Sequence, residues 1–150
     1  MKFSRNLEIE NLAGNGNLVE LKNLLSENYT KSEINIALES AIAYSQIETA
    51  KYLLLLGAEF SFRNYQGVYY AVHNNEIEGL KFAIENGVDI NVNNGMIINT
   101  SILTCINEKN NDLIKWILNN GADKFLLTEE NIKLICEYGS KELDCLILKL

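Results

Sequence analysis

Apolar residues recur along this chain in blocks of constant design. Lys22, Lys51, Lys81, Lys115 and Asp144 serve as markers. The residue before each is Leu21, Ala50, Leu80, Ile114 or Leu143. Two after come Leu24, Leu53, Ala83, Ile117 and Leu146, and three after come Leu25, Leu54, Ile84, Leu118 and Ile147. Spacings of three and four place these residues on one stripe of a helix. A second set lies upstream. Nine and ten residues before the marker stand Leu12-Ala13, Ala41-Ile42, Ala71-Val72, Cys105-Ile106 and Leu134-Ile135; thirteen before it stand Ile9, Leu38, Val68, Ile102 and, as the polar exception, Asn131. Each block therefore predicts two helices. The joints between them, such as Gly14-Asn-Gly16 and Asn74-Asn75, are short and polar, which predicts an antiparallel pair.

The boundaries carry their own signals. Gly57-Ala58-Glu59, Gly87-Val88-Asp89 and Gly121-Ala122-Asp123 follow the second helix, where a glycine reaches the positive φ that ends a helix. Thr30-Lys-Ser-Glu33 reads as a capping box, and Thr128-Glu-Glu places acids in a first turn. After each glycine the chain alternates, as in Glu59-Phe-Ser-Phe-Arg-Asn64 and Asp89-Ile-Asn-Val-Asn-Asn-Gly95, which predicts a hairpin-like turn or loop. The markers advance by 29, 30, 34 and 29 residues. Self-similarity at that period predicts stacked repeats, an architecture that presents a surface.

The repeat resembles the ankyrin repeat, whose pattern runs Gly-x-Thr-Pro-Leu-His-x-Ala-Ala-x-x-Gly-His-Leu-Glu-x-Val-x-x-Leu-Leu-x-x-Gly-Ala-Asp. Ala13 through Leu25 matches its middle, as do Gln46-Ile47-Glu48 through Gly57-Ala58-Glu59 and Glu76-Ile77-Glu78 through Gly87-Val88-Asp89; Asp112 through Asp123 matches its second half. The Thr-Pro-Leu-His tetrapeptide is absent: the equivalent stretches are Leu7–Glu10, Ile36–Glu39, Gln66–Tyr69, Thr100–Leu103 and Glu129–Ile132. Most repeats are also shorter than the family's usual length of about 33, a loss expected in the loops. The fourth carries an insertion around Gly95–Asn99. The resemblance implies an all-α, right-handed α-solenoid of about five stacked helix-turn-helix repeats with short projecting loops. It implies one domain over 1–150, with repeats near 5–31, 32–63, 64–97, 98–126 and 127–150.

The resemblance also implies a protein partner bound on the concave side, through loop tips and exposed positions of the first helices. The matching positions in the middle repeats are Tyr44, Phe62, Arg63, Tyr65, Tyr69, Tyr70, His73 and Asn74, and aromatic residues and arginine are the usual anchors of interfaces. The alternative for Tyr69 and Tyr70 is that they fill the space left by the missing Pro and His; Phe62 and Tyr65 have a packing alternative too. Tyr52, Phe82 and Trp116 share one column and read as semi-exposed packing on the second helix.

Composition narrows the partner. The chain has 150 residues, 47% of them hydrophobic, enough for a folded core. No apolar run approaches a membrane span, and the first ten residues lack the apolar core of a signal peptide, so an intracellular location is expected. The net charge of −7 disfavours nucleic acid and anionic membranes and favours a basic protein. Cys105, Cys136 and Cys145 fit no metal or disulfide spacing, and two fall where the repeat places small apolar residues, which predicts buried thiols. His73, the one histidine, has no ligand-spaced neighbour. No phosphate loop, nucleophile elbow or zincin motif occurs, and the acid pairs Glu8/Glu10 and Glu129/Glu130 read as solvated helix starts. The expectation is a protein with no catalysis, cofactor or metal.

The ends differ. Asn6, Glu8, Glu10 and Asn11 surround a thin apolar stripe, as a solvated cap would. The other end runs Leu143-Asp-Cys-Leu-Ile-Leu-Lys-Leu150, where Leu148 and Leu150 either fold back on the last repeat or form a self-associating end. Three functions remain: an adaptor or scaffold binding a partner protein, a small acidic inhibitor or immunity-type protein blocking a basic enzyme, and a self-associating repeat protein.

Overall fold

The computed structural model describes residues 4–149, and among these it is all-α. Five helix pairs follow in order: α1 (Arg5–Gly14) with α2 (Leu18–Leu25), α3 (Lys31–Ala43) with α4 (Ile47–Leu55), α5 (Gln66–His73) with α6 (Ile77–Glu85), α7 (Val92–Glu108) with α8 (Asp112–Asn119), and α9 (Glu129–Tyr138) with α10 (Lys141–Ile147). A 3-10 turn, Lys124–Leu126, precedes α9. Contacts divide the chain into two compact units, Met1–Gly87 and Val88–Leu150.

In the first unit α3 is central. It packs against α1, α4, α5 and α6, and its residues Ile34 to Leu38 and Ala41 to Ala43 are buried. A helix with neighbours on several sides carries a broad apolar stripe, and its polar residues Lys31, Ser32, Glu33, Glu39 and Ser40 fall outside the buried set. The polar exception is Asn35, whose Oδ1 accepts the Glu59 N–H at 2.8 Å and so ties the loop after α4 to the core. Around α3 lie Ile9 and Ala13 of α1, Leu21 and Leu25 of α2, and Ala50 and Leu53 of α4. The capping box is present: Thr30 Oγ1 accepts from Glu33 N, and Glu33 Oε1 accepts from Thr30 N. Arg5 adds an ion pair to Glu33 and donates to the Asn28 carbonyl at 2.9 Å, closing the end of α2.

In the second unit α7 packs against α8, α9 and the 3-10 turn, with α9 on α10. The insertion in this repeat lies in a helix. The marker step of 34 exceeds its neighbours by roughly one helical turn, and α7 takes up the surplus, burying Ile97, Ile98 and Ser101 ahead of Ile102. Its start therefore precedes the repeat boundary expected at residue 98.

The joints share one backbone device. The residue six before the marker adopts positive φ in four pairs: Gly16 at 74°, Ser45 at 56°, Asn75 at 57° and Lys109 at 53°. The next N–H reaches back five residues, as from Gln46 to the Ala41 carbonyl at 2.7 Å and from Glu76 to Ala71 at 2.8 Å, the bond of a Schellman helix end. The second helices also end at positive φ, on Gly57, Gly87 and Gly121 at 101°, 103° and 96°, with the five-residue bond from Ala58 to Leu53 and from Ala122 to Ile117. Lysine suits a left-handed position poorly because its Cβ crowds the following carbonyl. Replacing Lys109 with asparagine, which copies the Asn75 joint, should raise stability by about 0.5–1 kcal/mol in urea unfolding. Lys109→Val should lower it, and the reverse order would contradict this account of the joint.

Of the expected hairpin-like turns or loops only turns form: no strand occurs among the described residues. Instead Arg63, Asn64 and Tyr65 run through three successive left-handed conformations into α5, and Asn93, Asn94 and Gly95 do the same inside the range of α7, where they break it ahead of a regular helix from Met96. Too few residues separate the glycine from that helix to form and pair two strands. The alternation nevertheless survives in burial, since Phe60 and Phe62 pack against the core while Ser61 is exposed.

Candidate functional site

Because α3 contacts both α1 and α5 while those two share no comparable contact, the first helices of this unit lie in the order α1, α3, α5. A groove of about 430 Å³ crosses them, lined by Glu10 of α1, Glu39, Ser40 and Ala43 of α3, Tyr44 at its end, and Tyr70, His73 and Asn74 around the end of α5. Four residues that the sequence nominated, Tyr44, Tyr70, His73 and Asn74, come together here.

Each has a definite setting. Tyr44 is 56% exposed, yet its ring rests on Gly14, where an added Cβ would stand 3.1 Å from Cδ2. Tyr70 meets Tyr69 edge-on at 5.3 Å and accepts a 3.3 Å hydrogen bond from Gln66 Nε2. Tyr69 in turn stacks on His73 at 5.8 Å. Both tyrosines stay exposed, at 36% and 39%. Asn74 has a structural task, donating from Nδ2 to the Ala43 carbonyl at 3.2 Å. The loop nominees lie elsewhere: Phe62 is half-buried against the core with the Arg63 guanidinium 5.0 Å over its ring, and Tyr65 is the half-buried, left-handed residue that starts α5.

Glu10 and Glu39 belong to the groove and were not nominated. They sit in one column, directly after the buried Ile9 and Leu38, and Tyr69 occupies the same column in the next repeat. The position following a buried first-helix residue was the available signal. Glu10 is half-buried, at variance with the solvated cap expected of it; Asn6, Glu8 and Asn11 are exposed as expected. Glu39 keeps only 14% of its side chain exposed, its Oε1 has no hydrogen bond, and Arg63 Nε stands 3.6 Å away.

Burial pushes the Glu39 carboxyl above its usual range; the Arg63 charge pulls it back and Glu10 pushes it further up. Its folded pKa thus exceeds the unfolded one. The native state holds a proton that the unfolded chain has released, so this group's penalty is absent at low pH and complete above the folded pKa. Glu39→Gln should therefore raise Tm at pH 7, and the gain should shrink as pH falls toward 4. A variant less stable than the parent at pH 7 would contradict the sign. Glu33 behaves oppositely: burial works to raise it, but the Thr30 N–H, the Arg5 hydrogen bond and the Arg5 charge together hold it low. Its contribution is present at neutral pH and is lost on acidification.

A groove of about 660 Å³ between α4 and α6, lined by Lys51, Leu54, Leu55, Glu78, Lys81 and Phe82, is larger. Its lysines pair within their own helices, Lys51 with Glu48 at 3.1 Å and Lys81 with Glu78 at 3.4 Å, so it offers less unmatched charge. Phe82 there is buried and meets Phe60 edge-on at 6.3 Å, while Tyr52 and Trp116 are half-buried. The cysteines divide. Cys105 is buried and its thiol is pushed up to about 11 by burial, whereas Cys136 and Cys145 are exposed, against the expectation of buried thiols. Their helices α9 and α10 bury only Ile135, Leu143 and Ile147. Leu148 is 42% exposed, and Leu150 lies outside the described residues. Among the described residues no group of three His, Cys, Asp or Glu side chains could hold a metal, and no helix is long and apolar enough to cross a membrane. No protein-family model matches the chain, and no curated protein matches its sequence.

Proposed function

We propose that this chain is an ankyrin-type repeat module, a right-handed α-solenoid, that acts without catalysis by binding another protein across the open face of its first helices. The observation that carries this reading is the groove over α1, α3 and α5, where Tyr44 and Tyr70 are exposed and yet fixed by Gly14, Tyr69 and Gln66. Rigid aromatics lose little entropy on binding and commonly dominate interface energetics. The recurrence of positive φ at one repeat position also supports the repeat assignment.

The test is a partner captured from the cells of origin and then reconstituted from purified components. Tyr44→Ala and Tyr70→Ala should each weaken that complex about tenfold or more, with Tm nearly unchanged. Parental affinity in both variants would remove this surface from the reading, and failure to find any stoichiometric partner would remove the reading itself. The net charge of −7 favours a second version, in which the chain blocks a basic enzyme. Its association rate would then fall steeply between about 50 and 500 mM salt.

A further inference from the structure

We propose that the groove across α1, α3 and α5 is a slot for an arginine side chain of the partner, with its guanidinium between Glu10 and Glu39 and its flat face or stem against Tyr44 and Tyr70. This rests on the protein-binding reading and gives that partner its chemistry.

Three observations converge. The charges within the groove do not balance. Among the described residues Glu10 and Glu39 face one cation, Arg63, which is 47% exposed and stands 3.6 Å from Glu39 Oε1 without a hydrogen bond to it. Among the described residues that oxygen accepts no hydrogen bond and meets Arg63 by charge alone; it is buried, so a donor N–H would reach it only with a small shift of its cover, and would then supply the missing hydrogen bond. The aromatic walls suit a cation. Tyr44 offers an exposed ring held against Gly14, and Tyr70 is held by Tyr69 and Gln66; a guanidinium over such rings gains a cation–π contact. Of the other groups at the groove, the Asn74 amide is bound to the Ala43 carbonyl and the His73 ring is stacked on Tyr69. Arginine fits better than lysine because its planar fork can reach two carboxylates at once and still stack. Arg63, paired with Glu39 and lying over Phe62, shows the same chemistry at the neighbouring loop. The net charge of −7 would draw such a partner in.

Amide chemical shifts of the full chain, titrated with acetyl-Gly-Arg-Gly-amide, test the slot. Its lysine analogue and its citrulline analogue, which keeps arginine's shape without the charge, serve as controls. The arginine peptide should move the amides of Glu10, Glu39 to Tyr44 and Tyr70 to Asn74 in one saturable process. Citrulline should bind about tenfold more weakly or worse, and lysine several-fold more weakly. Glu10→Gln with Glu39→Gln should abolish the response, and Tyr44→Ala should weaken it about fivefold. Shifts spread over all surface acids, citrulline equal to arginine, or binding kept by the double Gln variant would each overturn the slot. An inert peptide, together with a reconstituted partner that still needs Tyr44, overturns the slot and leaves the protein-binding reading standing. Arginine binding in the groove with no protein partner supports the slot while removing that reading.

Discussion

Replacing Gly79 with alanine will destabilise the first unit by about 3 kcal/mol, against the direction that helix propensity gives. Gly79 lies in the first turn of α6 and is buried. Alanine is favoured over glycine in a helix by about 1 kcal/mol, so propensity alone anticipates a gain. Here an added Cβ would stand 2.2 Å from the Ile42 carbonyl oxygen, at the last turn of α3. That neighbour is backbone and cannot swing aside, so one of the two helices must move. The same residue donates its N–H to Ser45 Oγ at 2.9 Å, and Ser45 holds the left-handed joint between α3 and α4. A first-turn N–H has no acceptor within its own helix, so a shift of α6 that relieves the clash also strains this bond. Gly87→Ala is the contrasting substitution. No atom lies within 4 Å of its added Cβ, and only its φ of 103° resists, at a cost of about 1 kcal/mol. Urea unfolding of both variants separates close approach from backbone conformation. Equal losses, or a gain at Gly79, would sink the explanation.

What the sequence made legible follows from how each feature is encoded. The ten helices were readable because a stripe of apolar side chains is written at three- and four-residue spacing and recurs at each marker. The ends at Gly57, Gly87 and Gly121 were readable because glycine is the usual residue where φ must be positive. The remaining left-handed positions were not. Ser45, Arg63, Tyr65 and Lys109 carry no compositional mark, since none of these residue types favours positive φ. The insertion near Gly95 read only as extra length, with no element assigned to it, yet Ile97 and Ile98 supplied the apolar pair for another buried turn. Within the groove, the aromatic members stood out by type. Glu10 and Glu39 did not, since a glutamate on a helix is ordinary until its neighbours cover it.

The chain is rich in asparagine, and several of these side chains share one task. Side-chain amides link segments about one repeat apart: Gln46 to the Gly14 carbonyl at 3.1 Å and Asn74 to Ala43 at 3.2 Å in the first unit, and Asn111 to Ser140 Oγ at 3.1 Å in the second. Asn91 accepts from Asp123 N at 2.8 Å and donates to the Gly121 carbonyl at 3.2 Å, fastening one turn to the next. An amide suits this task because it both donates and accepts without carrying charge. Turns too short for paired strands thus satisfy their backbone groups through side chains from neighbouring segments.

The fullest case is Asn99, and its loss should be felt most in the second unit. Its Nδ2 donates to the Gly95 carbonyl at 2.8 Å and to the Leu126 carbonyl at 3.0 Å. Its Oδ1 accepts from Thr128 N at 2.9 Å and from Asn131 Nδ2 at 2.8 Å. One side chain thus joins the left-handed break in α7, the 3-10 turn and the cap of α9. Thr128 is itself that cap, with Oγ1 accepting from Asn131 N at 3.3 Å, so the bond from Asn99 holds the residue that holds the helix. Asn99→Ala should cost about 3 kcal/mol, since several half-buried partners lose their mates together. Exchange of the Thr128 and Asn131 amides should speed up before any other part of the unit responds. Asn99→Asp keeps the acceptor but replaces the donor with charge facing two carbonyl oxygens, so it should be no better than alanine at pH 7. It should recover part of the loss as acidification protonates it and restores a donor. Asn119→Ala, exposed at the end of α8, should change stability by no more than about 0.5 kcal/mol. An Asn99→Ala variant as mild as Asn119→Ala would show that the network describes the turn without sustaining it.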